Sequence, residues 1–183
     1  MRNTAAPRAD RGASAVEFAL IAPVLLAVLF GIVDYGLYFA DTLSVQQGLS
    51  SAARTATLAP ADVSGPKWGT ATCALQVSGP PQSALLQPLA CSVLDTVQPV
   101  GGQLFVRAEL VDADGQATET WQTGSRLRLC AISEHPPVLP FVPLPEGGRI
   151  RAHVDMPVQA APVPLVMTPV SSAPPAGTDW DWC

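Results

Sequence analysis

The sequence predicts an α+β protein: one long N-terminal transmembrane helix, followed by a small antiparallel, β-rich, proline-rich and disulfide-bearing domain outside the cytoplasm. Three observations predict this. Residues 18–33 carry no ionisable side chain, and they lie in a wider apolar stretch, 13–40, whose only charges are Glu17 and Asp34. Seventeen of the 19 prolines fall from Pro60 onward, where an extended helix would lose amide donors, so strands joined by irregular connections are expected there. All four cysteines, Cys73, Cys91, Cys130 and Cys183, also lie in this second part.

The helix comes first. At 1.5 Å per residue the uncharged run spans about 24 Å and the wider stretch about 40 Å, which brackets a hydrocarbon core of about 30 Å. Arg2, Arg8 and Arg11 precede it with only Asp10 against them, and the next basic residue is Arg54. The positive-inside bias therefore places the N-terminus in the cytoplasm and exports the rest. A cleaved secretory signal would share the basic start. This stretch is too long for such an apolar region, carries Glu17, and passes Tyr35, Tyr38 and Phe39 without a clear small-residue cleavage site. Pro23 predicts a bend near residues 21–24. Beyond the membrane, Leu43, Gln46, Gln47, Leu49, Ser50, Ala53 and Ala56 keep a helical rhythm until Pro60, so one helix over 13–58 is expected, although Gly48 weakens it. The organisation read from this is a cytoplasmic leader (1–12), a span (13–40), an extracytoplasmic helix extension (41–59), a β-rich domain (60–156) and a proline-rich C-terminal tail (157–183).

In the exported part, residues 126–131 and 150–156 alternate apolar and polar side chains as strands do. Residues 104–111 precede Asp112-Ala113-Asp114-Gly115, a turn that leads back into residues 116–122, so a sheet of three or four antiparallel strands follows. An even number of widely spaced cysteines in an exported domain favours two bridges. Three pairings are possible. Chain order favours Cys73–Cys91, which closes a short loop, and Cys130–Cys183, which ties down the C-terminus. From Asp41 onward there are twelve acidic and seven basic side chains, a balance that argues against a nucleic-acid partner.

Glu17 calls for an explanation, because a carboxylate one turn into an apolar helix costs a few kcal/mol in lipid unless it finds a partner or reaches the headgroups. The string Arg11-Gly12-Ala13-Ser14-Ala15-Val16-Glu17-Phe18 resembles a type IV prepilin processing site, a basic leader ending in glycine and a helix with glutamate at its fifth position. The resemblance implies cleavage between Gly12 and Ala13 by a membrane-embedded prepilin peptidase. Glu17 could then compensate the freed amine of a neighbouring subunit at low dielectric. Residues 11–54 as a whole resemble the N-terminal signature of the TadE-like family, pilin-like proteins of Tad (Flp) pilus assembly systems. The resemblance rests on Arg11-Gly12, Glu17-Phe18, Ala22-Pro23, Gly31-Ile32-Val33-Asp34-Tyr35-Gly36 and Ala52-Ala53-Arg54. It implies a commonly acidic position at Asp34, assembly roles for Glu17, Phe18 and Asp34, and a helix that packs one end on the sheet.

No catalytic chemistry is expected. The sequence has no nucleophile elbow and no phosphate-cradling glycine loop. Asp112, Asp114 and Glu119 lack the full spacing of a calcium loop, and His135 and His153 lack zinc-ligand spacing, so neither a metal nor a cofactor is expected. The expected role is a non-enzymatic, pseudopilin-like component of a Tad-type pilus assembly or secretion system. Its partners would be the cytoplasmic membrane, other pilin-like subunits, the assembly platform and the prepilin peptidase. The alternatives are a membrane-anchored cell-surface binding module and a secreted soluble protein.

Overall fold

The computed structural model describes residues 9–58, 61–62, 65–66, 73, 75–77, 85–97, 99, 102–139, 142–159, 161 and 164–183. Helix α1, Ala9–Leu58, is continuous through Pro23 and at 1.5 Å per residue is about 75 Å long. It starts four residues earlier than expected, so the backbone is already helical at Gly12 and Ala13. Two short strands, β1 (Ala61–Asp62) and β2 (Gly65–Pro66), pair with each other. They are followed by β3 (Gln76–Val77), helix α2 (Gln87–Thr96), β4 (Gln103–Val111), β5 (Ala117–Thr118), β6 (Thr120–Trp121), β7 (Arg126–Glu134), β8 (Arg149–Pro157), β9 (Leu165–Val166) and β10 (Val170–Ser171).

The main sheet is antiparallel, in the order β3-β10-β4-β7-β8, with β5 folding back on β4. Its centre is in the expected strands, β7 and β8 from their alternation and β4 from the turn that follows it. Strands β4, β7 and β8 are nine residues each and pair in full register, with Ala108 opposite Leu129 and Leu129 opposite Val154. Because side chains alternate across a strand, this register gathers Val106, Ala108 and Leu110 with Leu127, Leu129 and Ala131 on one face. Helices α1 and α2 cover that face with Val45, Leu49, Ala53 and Ala56 and with Leu89, Ala90 and Val93. Each fully buried valine or leucine side chain there contributes about 1.5–3 kcal/mol.

The buried face of α1 is therefore 45/49/53/56, and Leu43, part of the expected rhythm, is exposed instead. Gly48 has a packing reason: a Cβ there would lie on the Val97 side chain, so its absence lets the end of α2 approach α1.

The opposite face carries Phe105, Cys130 and Ile132, covered by Trp180, Trp182 and Cys183. Disulfides join Cys73 to Cys91 and Cys130 to Cys183. On this same face Glu109, Arg128 and Asp155 line up across three strands. Arg128 donates Nε and Nη2 to the two Asp155 carboxylate oxygens, both at 2.9 Å, and Nη1 to the Cys183 carbonyl at 2.7 Å.

Three features differ from expectation. Helix α2 forms within the proline-rich region, because Pro88 sits in its first turn, where a missing amide costs nothing, and its Leu89, Ala90, Cys91 and Val93 become buried. The expected return strand 116–122 is split into β5 and β6. The second half leaves β4 to pair with β9, and the Met167 amide donates to the Glu119 carbonyl at 2.7 Å. Residues 157–183 are more than a tail, since β10 lies between β3 and β4 and Met167 and Val170 are fully buried. Two-residue strands leave too short a pattern for alternation to reveal.

Candidate functional site

Helix α1 has two parts that differ in burial. Over residues 14–33 most side chains are exposed, and none is buried in the protein's own core. Phe18 is 69% exposed, and Leu20, Ile21, Val24, Leu25 and Ile32 are similarly bare. The helix is long and apolar enough to cross a membrane. Glu17 lies on this free segment, near its start, and is exposed. The helix therefore presents an apolar surface about 30 Å long that only lipid or another protein can cover.

Contact with the folded domain begins at Asp34. Its carboxylate is fully buried and accepts hydrogen bonds from the backbone amides of Val138 at 2.9 Å and Leu139 at 3.1 Å. One residue on, the Tyr35 hydroxyl donates to the Pro143 carbonyl at 2.5 Å. Tyr38 packs with Leu144 and Ile150, and its hydroxyl donates to the Arg149 carbonyl at 3.4 Å. One turn further, Asp41 Oδ2 lies 2.8 Å from His135 Nδ1, both side chains no more than 3% exposed, and the Tyr38 ring stands edge-on to the imidazole. The loop after β7 is thus clasped along one stripe of α1, at 34, 38 and 41, which continues directly into the apolar 45/49/53/56 face. Charged hydrogen bonds of this kind are about twice as strong as neutral ones. They fix the angle and height at which the domain sits on the helix.

The residues singled out from the sequence do not converge on one point. Gly12 and Ala13 lie in the first turns of α1, and the side chain of Ala13 is outside the described residues. Glu17 and Asp34 are about 26 Å apart along the helix. Phe18 faces outward beside Glu17, whereas Asp34 faces the domain. The cysteines belong to the domain's framework, far in sequence from the free helix. Asp112 closes the β4–β5 turn by accepting from the amides of Asp114 and Gln116, both at 2.9 Å. Among the described residues no group of three or more histidine, cysteine or acidic side chains is arranged to hold a metal ion.

Sequence reasoning missed the clasp. Tyr35, Tyr38, Asp41 and His135 carry it with Asp34, and the available signal was the 34/38/41/45 spacing, which places two acids and a tyrosine on the stripe that later turns apolar. Nothing in the sequence pointed to the loop as its partner.

Residues 12–56 match the family model described as TadE-like protein. The match covers the free apolar segment, all the helical residues of the clasp and the 45/49/53/56 face of α1, and it stops before the sheet. No curated protein and no solved structure matches the chain.

Proposed function

We propose that the protein is a non-enzymatic, pseudopilin-like component of a Tad-type pilus assembly or secretion system, inserted in the cytoplasmic membrane by residues 14–33 with the N-terminus inside and the β-rich domain outside. The observation that carries this reading is the coincidence of the TadE-like match at 12–56 with an α1 segment that is apolar and uncovered. Basic residues before the span and disulfides after it support the orientation.

In this reading α1 is the assembly element. Small residues such as Ala15, Ala19 and Ala22 allow close approach of neighbouring helices, and Phe18 supplies apolar contact area. Glu17 is the charge that a neighbouring subunit's amine compensates after cleavage between Gly12 and Ala13. Asp34 acts differently: it sets the domain's pose on the helix, so that subunits joined through their spans present their domains at a fixed height. The other partners are the assembly platform and the prepilin peptidase.

The test is N-terminal peptide mass spectrometry on membrane-extracted protein from cells with and without their prepilin peptidase, coupled to cross-linking of a Glu17→Ala variant. The expected result is a start at Ala13 that requires the peptidase, and loss of cross-links to pilin-like subunits in the variant while membrane insertion is kept. An intact N-terminus in both strains, with normal cross-linking of the variant, would favour a membrane-anchored binding module. A start beyond Ala40 would mean a secreted protein.

A further inference from the structure

The 16 uncharged residues between Glu17 and Asp34 span about 24 Å, some 6 Å less than a typical hydrocarbon core. At least one carboxylate must then lie within the hydrocarbon near a leaflet's edge, or the bilayer must thin. The two acids are not equivalent. Glu17 is exposed and has a long stem that can reach the headgroups. Asp34 is short and fully buried, and both its oxygens are taken by the amides of Val138 and Leu139. It is satisfied without water, as a carboxylate near lipid needs to be.

Between His135 and Glu146 the described residues of the loop that satisfies it, 136–139 and 142–145, carry no polar side chain, and the exposed Glu146 at its far end lies 3.7 Å from Arg151 of β8. Pro136, Pro137 and Pro143 are exposed, and Val138 is 59% exposed. Proline removes amide donors that would otherwise need partners at that depth. Tyr35 and Tyr38, the side-chain type enriched where hydrocarbon meets headgroups, follow Asp34 on the helix and donate to this loop and to Arg149 just beyond it. The apolar surface of the free helix thus continues, through Asp34, onto the outer side of the loop.

From this continuity we infer that the loop after β7 is a membrane-contact element: Val138 and the prolines beside it rest in the outer-leaflet interface against α1, and the loop shields Asp34 from lipid. The occupant of this surface is the bilayer. The inference rests on reading α1 as a membrane span, and the domain would stand on the membrane at a fixed height instead of swinging above it.

The experiment uses the full chain in phosphatidylcholine vesicles, with a nitroxide label at one of three positions, Leu25→Cys, Val138→Cys or Asp114→Cys, and with both native disulfides verified by mass for each. Relaxation by oxygen, which concentrates in lipid, is compared with relaxation by a water-soluble nickel chelate. The expected result is an oxygen-to-nickel ratio highest at 25, lowest at 114, and at 138 several-fold above that at 114. A label at 138 as accessible to nickel as the one at 114, with 25 in lipid, overturns the loop's contact and leaves the span intact. Shielding of 138 from both reagents means that protein covers it, which also overturns the proposal. Exposure of 25 to nickel overturns the span itself, and the loop contact with it.

Discussion

The imidazole Nδ1 of His135 lies 2.8 Å from the carboxylate Oδ2 of Asp41, although 94 residues separate them. The pair is almost completely buried and joins the end of β7 to the helix just above its free segment. A buried hydrogen bond to a charged group loses more when one partner is removed than its formation contributed, because the other is left desolvated. Asp41→Ala should therefore destabilise the docking of the domain by about 1–3 kcal/mol. The check is a double-mutant cycle with His135→Phe in detergent-solubilised full chain. A coupling energy near zero would remove the pair from the account of docking.

Asp34 holds two amides, so its removal should be felt there first. In Asp34→Ala, hydrogen exchange at Val138 and Leu139 should quicken at least tenfold, corresponding to about 1.4 kcal/mol of lost protection. Amides in the centre of β4 and β7 should keep their rates. Equal quickening across the sheet would mean that Asp34 supports the whole domain instead of the clasp.

Asp155 gives the domain a pH dependence of defined sign. Its hydrogen bonds from Arg128 come first among the causes that hold its carboxyl below the usual carboxylate range, the positive charge of Arg128 adds to them, and partial burial opposes both. A carboxylate whose folded pKa is depressed stabilises the fold above its unfolded pKa, and that contribution is lost as pH falls through the folded value. Thermal stability of the full chain should thus fall as pH drops from about 4 toward the lowered pKa of Asp155. Asp155→Asn should weaken that part of the fall. An unchanged acid limb in the variant would assign the loss to other carboxylates.

The two disulfides should contribute unequally. The Cys130–Cys183 bridge closes 53 residues and Cys73–Cys91 closes 18, which in the chain-entropy account corresponds to about 4 and about 3 kcal/mol. Cys130→Ser with Cys183→Ser should also free the C-terminal segment from the sheet. Tryptophan emission should then move to longer wavelength as Trp180 and Trp182 gain water, with no such shift in the Cys73→Ser, Cys91→Ser variant. Equal spectra for the two variants would mean that the hydrogen bonds of Trp180 to Ser172 and of Arg128 to Cys183 hold the segment alone.

Gly148 carries a positive φ of 85°, and a Cβ there would meet the His135 carbonyl at 2.2 Å. Backbone cannot yield as a side-chain tip can, so Gly148→Ala should destabilise the domain by about 1–3 kcal/mol. Gly115, also at positive φ but with open space around it, should tolerate alanine better. Denaturant unfolding of both variants compares them directly.

The sequence by itself determined what depends on near neighbours along the chain. The uncharged run fixed the free helix, strict alternation fixed β7 and β8, and the Asp112–Gly115 turn fixed the return from β4, because each is a local pattern with one dominant period. The arginines, Gly12 and Glu17 pointed to the candidate processing and assembly segment for the same reason. Only the tertiary structure decided what depends on distant partners. It turned α1 so that 45/49/53/56 face the sheet, formed α2 among prolines, and drew residues 165–171 into strand pairing. It also gave Asp34, which reads in sequence as a second charge in a membrane helix, two backbone donors from a loop 104 residues away. A carboxylate's surroundings depend on which segments fold against it, and no spacing along one helix encodes that.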